Sequence, residues 1–211
     1  MSQQNLCEFE NNAIKNGYSN IAGIDEAGRG PLAGPVVSAA VIFKASYYEE
    51  AIQLGIKDSK RLTPKKRDTL YDIIYENAVA IGVGLVNPQD IDRINILQAA
   101  LLSMAQAVED LIAKNTVKPG LLFVDGIYQI KSLIPQQIIK RGDQHSVTIG
   151  AASIIAKVTR DRKMKEYDKK YPGYGFEKHK GYPTREHKEA IRQLGPSPIH
   201  RKTFKGVKEF V

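Results

Sequence analysis

Three apolar, strand-length runs in this 211-residue chain each lead into acidic side chains. IAGIDE (21–26) ends in Asp25 and Glu26, and LLFVD (121–125) ends in Asp125. Asp143 follows a third candidate strand near 136–140, directly after Gly142. A carboxylate at the tip of a buried strand is costly to desolvate unless it is paired, hydrogen-bonded or bound to a cation. Four such acids at neighbouring strand ends would also repel one another and resist ionisation. Hard divalent ions with oxygen ligands, Mg²⁺ or Mn²⁺, answer both difficulties, and a pair of them can drive phosphodiester hydrolysis. Taken singly, each acid has a plainer use, because a strand-end Asp often forms a turn or caps a helix. Asp25 and Glu26 are harder to dismiss. Adjacent strand residues face opposite ways, so one of them would enter the core unless the strand is ending there.

The remaining segments supply the frame for those strand ends. PVVSAAVIF (35–43) is β-branched and apolar and reads as a second strand, in a hairpin with the first. AVAIGVGLV (78–86) reads as a third. Thr63 and Pro64 fit the cap and first position of a helix continuing to about residue 78. Helical spacing of apolar residues marks 94–112, and 146–171 reads as a long helix that begins small and apolar and ends charged. A short polar helix precedes the first strand, 171–184 reads as loop, and a last short helix covers about 185–194. A hairpin followed by strands alternating with helices predicts an α/β fold, a mixed sheet flanked by helices. The chain reads as one domain over 1–211, with a core at about 20–171 and a small helical C-terminal region at about 172–211.

Charge is distributed unevenly. Residues 157–211 hold 16 Lys+Arg against 7 Asp+Glu, whereas the first 156 residues hold 15 against 16. The excess positive charge therefore sits in the last quarter, which suits a phosphate-backbone partner as well as a merely solvated basic surface. No apolar run approaches the ~20 residues of a membrane-spanning helix, and the N-terminus lacks a basic stretch leading into an apolar one. A single cysteine, Cys7, rules out an internal disulfide framework and a multi-cysteine zinc site. The expectation is a cytoplasmic protein without a membrane partner, and a monomer.

The glycine-rich turn GIDEAGRGPLAGP matches neither G-x-x-x-x-G-K-[ST] nor G-x-G-x-x-G. Its glycines would still let the backbone N–H groups of Gly28 and Gly30 approach a sugar or phosphate, and Arg29 could add a charge-assisted contact. An ordinary tight turn would have the same composition.

Taken in order, these segments resemble the prokaryotic ribonuclease HII family. GIDEAGRGPLAGPVV (23–37) resembles its first signature. KDSK (57–60), VDG (124–126), GD (142–143) with AASIIAKVTRD (151–161), HKGYPT (179–184) and HKEAIRQLGPSPIHRKTF (187–204) follow. The resemblance implies a ribonuclease-H-like fold and an endoribonuclease that cuts the RNA strand of RNA–DNA hybrids and ribonucleotides embedded in duplex DNA. It further implies two Mg²⁺ or Mn²⁺ ions and products with 5′-phosphate and 3′-hydroxyl ends. Asp25, Glu26, Asp125 and Asp143 match the family's metal-binding catalytic acids. Gly28, Arg29 and Gly30 match the loop that reads the ribose 2′-hydroxyl, and Tyr182 matches a tyrosine that packs on the sugar beside the cut. Ser59 and Lys60 are expected to contact the substrate backbone near the site. The extra N-terminal substrate-binding domain of ribonuclease HIII relatives is expected to be missing. The tail KTFKGVKEFV does not resemble the clamp-binding motif of archaeal relatives.

Overall fold

The computed structural model describes residues 6–57, 59 and 62–211. Five strands form one sheet: β1 (Ile21–Ala27), β2 (Val36–Ile42), β3 (Ala80–Val86), β4 (Leu121–Asp125) and β5 (Gln136–Ile139), in the order β3-β2-β1-β4-β5. The β1–β2 and β2–β3 pairs are antiparallel, and the β1–β4 and β4–β5 pairs are parallel. All seven residues of β2 are buried, whereas burial alternates along the edge strand β3. This contrast is what a central and an edge position require.

Helices cover both faces. On one lies α5 (Ile96–Lys114), packed on β3 and β2. On the other lies α6 (Val147–Lys170), packed on β1 and β2, with α3 (Pro64–Asn77) against it. Thr63 accepts the Lys66 N–H and Pro64 opens α3, as the sequence predicts. Helix α6 crosses β1 so closely that a Cβ on Gly23 would collide with the backbone of Thr148 and Ile149. Its N-terminus is capped twice. Ser146 accepts the Ile149 N–H, while the buried Glu10 carboxylate, on α1 (Glu8–Lys15), accepts from the Ser146 hydroxyl and from both the N–H and hydroxyl of Thr148. Negative charge there opposes the positive end of the helix dipole.

Several boundaries differ from the sequence reading. The helix read over 94–112 is α5, starting at Ile96, and a separate helix not read from the sequence, α4 (Pro88–Ile94), precedes it across Asn95. Asn95 adopts φ 67° and its side chain accepts the N–H groups of Leu97 and Gln98. A further short helix, α2 (Tyr48–Gln53), follows β2, and the segment read as loop contains α7 (Phe176–His179) ahead of α8 (Arg185–Leu194). Helix α5 does reach membrane-spanning length and apolarity, contrary to expectation. Eight of its residues are buried, and its apolar stripe is taken up by the sheet. The C-terminal elements pack on Leu32 and Ala33 of the β1–β2 connection and on Met164 of α6. They therefore sit beside the C-terminal end of β1.

Candidate active site

Strands β1 and β4 run parallel and in register, Ile24 opposite Val124, so Asp25 and Asp125 emerge side by side. Glu26 lies past the last β1–β4 pair, where the strand is open on that side. Carboxylate oxygens of Asp25, Glu26 and Asp125 all fall within 4.8 Å of one another. Asp25 is 3% exposed. Burial pushes its carboxyl well above the usual carboxylate range, and the charges of Glu26 and Asp125 push it further. The Ser153 hydroxyl and the Glu26 N–H, 2.7 Å from Asp25 Oδ1, act in the opposite direction. The donors are all hard oxygens, gathered despite mutual repulsion and available through a half-open rim. Such a set fits Mg²⁺ or Mn²⁺ and suits soft or nitrogen-preferring ions poorly.

Asp143 is not part of this three-acid group. It is buried on the 3₁₀ turn Gly142–Gln144, adjoining Gly142, whose N–H donates to Asp125 Oδ1 over 2.6 Å. The turn that carries Asp143 is thereby fastened to the end of β4.

Ser59 is 2% exposed, and its hydroxyl lies 2.7 Å from that of Ser153. It stands behind Asp25, through Ser153, with its hydroxyl turned away from solvent. The guanidinium of Arg67 secures the same loop through the carbonyls of Ser59 and Leu62. Lys60 lies outside the described residues. Ser153 was not anticipated, and its position within AASIIAKVTRD was the one available signal.

The glycine-rich turn divides into two parts. Gly28 has φ 101°, and a Cβ there would strike the Arg160 side chain, so this glycine serves internal packing. Gly30 is open, its nearest neighbour being the Tyr182 ring at 3.7 Å from a Cβ position. Arg29 is half-exposed and its Nη1 lies 3.2 Å from Glu26 Oε1. Tyr182 is 42% exposed, with Lys157 Nζ 5.7 Å from the ring centroid. Gly30 and the Tyr182 ring are therefore neighbours, and Arg29 ties the same turn to Glu26 of the acidic group. Behind Tyr182, His187 bonds the tyrosine carbonyl through Nδ1 and His200 through Nε2, at 2.9 and 3.0 Å. Burial lowers both imidazoles to about 4.

The basic C-terminal quarter is less available than its charge count implies. An open groove of about 670 Å³ between α3, α6 and α7 is lined by Arg67, Lys157, Arg162, Lys165, Lys178 and Lys180. Within it Lys157 pairs with Asp161, Lys165 with Glu177 and Arg162 with Asp68. Two further cations, Arg160 and Arg201, are fully buried and face no solvent at all.

Comparison with known proteins supplies an independent view. Residues 22–207 match the family model described as ribonuclease HII. A ribonuclease HII from Geobacter sulfurreducens is 56% identical over 98% of this chain and 92% of its own length. Among solved structures, the ribonuclease H2 of Pyrococcus horikoshii superposes with a TM-score of 0.76 at 30% identity, covering 91% of this chain and 97% of that one. The ribonuclease HII of Archaeoglobus fulgidus, solved in complex with PCNA, gives a TM-score of 0.73 at 25% identity over 89% of this chain and 96% of its own.

Proposed function

Because the chain belongs to the ribonuclease HII family, and is therefore a nuclease with an RNA-cleaving core, we propose that it cuts the RNA strand of RNA–DNA hybrids and single ribonucleotides embedded in duplex DNA, leaving 5′-phosphate and 3′-hydroxyl ends. The observation that carries this reading is the convergence of Asp25, Glu26 and Asp125 beside an open glycine and an exposed tyrosine.

Asp25, Glu26 and Asp125 would hold the divalent ions, Mg²⁺ or Mn²⁺, with Asp143 assisting from the adjoining turn. When bound, a pair of such ions would supply Lewis acidity toward the scissile phosphate and relieve the repulsion among the acids. The protein's own groups do the rest. Ser153 and the Glu26 N–H orient Asp25, and the Gly142 N–H orients Asp125. Gly30 lets a ribose approach the backbone closely, and only a ribose offers the 2′-hydroxyl that distinguishes it from deoxyribose. Tyr182 offers a flat apolar surface to the neighbouring sugar, favouring a deoxyribose there. Arg29 and the groove cations would contact phosphates without reading sequence. No membrane enters this scheme.

The test is a duplex with one ribonucleotide in an otherwise DNA strand, compared with the all-DNA duplex. A cut beside the ribonucleotide with 5′-phosphate and 3′-hydroxyl products supports the assignment. Equal cutting of both duplexes would instead make this a DNA-directed nuclease, and no cutting of either would leave a binding module.

A further inference from the structure

Arg160 and Arg201 are each 0% exposed, and among the described residues neither forms an ion pair. Burying an unpaired charge is expensive, and the cost persists unless hydrogen bonds replace the lost water. Here they do so in an unusual way, through backbone carbonyls, all but one of them from a single loop. Arg160, on α6, donates from Nε to Pro35 (2.9 Å), from Nη2 to Ala33 (3.0 Å) and from Nη1 to Lys180 (3.0 Å). Arg201, in the C-terminal tail, donates from Nε to Gly34 (3.1 Å), from Nη1 to Arg29 (2.9 Å), and from Nη2 to both Gly28 (2.5 Å) and Gly34 (2.9 Å). Five carbonyls of the 28–35 segment are thus held by two guanidiniums that lie 41 positions apart in sequence. Burial lowers the two groups to about 10 and about 9, and both remain charged at neutral pH.

We infer that Arg160 and Arg201 are positioning residues that fix the Gly28–Pro35 loop in the shape that admits substrate. This rests on the ribose-reading role proposed above for that loop. A carbonyl drawn inward by a buried guanidinium cannot turn its oxygen toward a phosphate, so the outer face of the loop is kept free of opposing dipoles. The Arg160 contact with Lys180 extends the same fastening to the segment bearing Tyr182, and the Leu32 N–H adds a bond to the Gly181 carbonyl at 2.8 Å. The glycine-rich turn and the segment bearing Tyr182 are thereby locked to one another. A planar fork of five donors is what this requires, and a lysine ammonium, with its compact charge, does not reproduce it. Gly28 belongs to the same device, because its missing side chain makes room for Arg160.

The test uses Arg160→Lys and Arg201→Lys, which keep the charge and lose the fork. Three readouts are compared with the wild type: amide hydrogen exchange over residues 28–35, Mn²⁺ affinity of the free protein, and the position and rate of the cut beside a single ribonucleotide. The expected result is faster exchange confined to the loop, Mn²⁺ affinity within about twofold, and a fall in kcat/KM of about tenfold or more with cutting spread to adjacent phosphodiesters. A merely structural staple would lower Tm and leave the cut position sharp, and that outcome overturns the inference. So does unchanged exchange in both variants. If a variant fails to fold, the wild type still decides: loop amides exchanging as slowly as those of β1 support the inference, and amides exchanging at unprotected rates refute it. A wild type indifferent to the ribonucleotide would sink the function assigned to the loop, while the exchange data would still report on the two arginines.

Discussion

Arg29 Nη1 lies 3.2 Å from Glu26 Oε1, so the exposed guanidinium of the glycine-rich turn rests on a carboxylate of the acidic group. Cation binding and the Arg29 contact therefore draw on the same carboxylate. Arg29→Ala is expected to tighten Mn²⁺ binding to the free protein by roughly two- to threefold, in keeping with a partly exposed ion pair, and to raise KM for a nucleic-acid substrate. Calorimetric Mn²⁺ titration and steady-state kinetics check both, and weaker Mn²⁺ binding would contradict the competition.

Asp25 is buried among like charges, which costs stability when no cation is present. Asp25→Asn is expected to raise Tm in chelator while lowering cleavage by roughly a thousandfold or more. Adding Mg²⁺ or Mn²⁺ should raise the wild-type Tm by mass action and shift the variant less. Thermal unfolding with and without metal measures this.

Gly23 marks where α6 presses on β1. Gly23→Ala forces backbone apart at a site with no side chain able to yield, and a loss of about 1–3 kcal/mol is expected. Because α6 also carries Ser153, Asp25 should be disturbed with it. Denaturant unfolding gives the first quantity and Mn²⁺ affinity the second.

His187 and His200 sit at about 4 in the fold against an ordinary 6.5, both lowered chiefly by burial. As pH falls below about 6.5 the unfolded chain takes up protons that the folded one refuses. Their contribution is therefore complete above that value and declines progressively toward pH 4. His187→Gln should flatten the fall in Tm between pH 7 and 5 relative to wild type, and an unchanged slope would contradict the assignment.

Much of this architecture could be read from the chain, for identifiable reasons. Apolar β-branched runs ending in Asp25, Glu26 and Asp125 are local patterns, and Thr63-Pro64 is a local start signal. What the pattern could not supply is adjacency: Asp25 meets Asp125 because β1 and β4 pair in parallel between residues 100 positions apart. Arg160 and Arg201 look like surface cations in a basic stretch, and burial alone separates them from Lys165 or Lys178. The inward bond between the Ser59 and Ser153 hydroxyls joins residues 94 apart, a pairing that no local pattern announces. Asn95, which splits α4 from α5, works through a positive φ that composition does not announce.

The direct test of the acidic cluster as a cation-dependent catalytic centre is cleavage of a duplex containing one ribonucleotide by wild type and Asp125→Asn, each with Mg²⁺, with Mn²⁺ and with chelator. Cutting by the wild type with either metal, none with chelator, and loss in the variant despite retained duplex binding is the predicted result. Cutting that survives chelation, or a variant as fast as wild type, would contradict it.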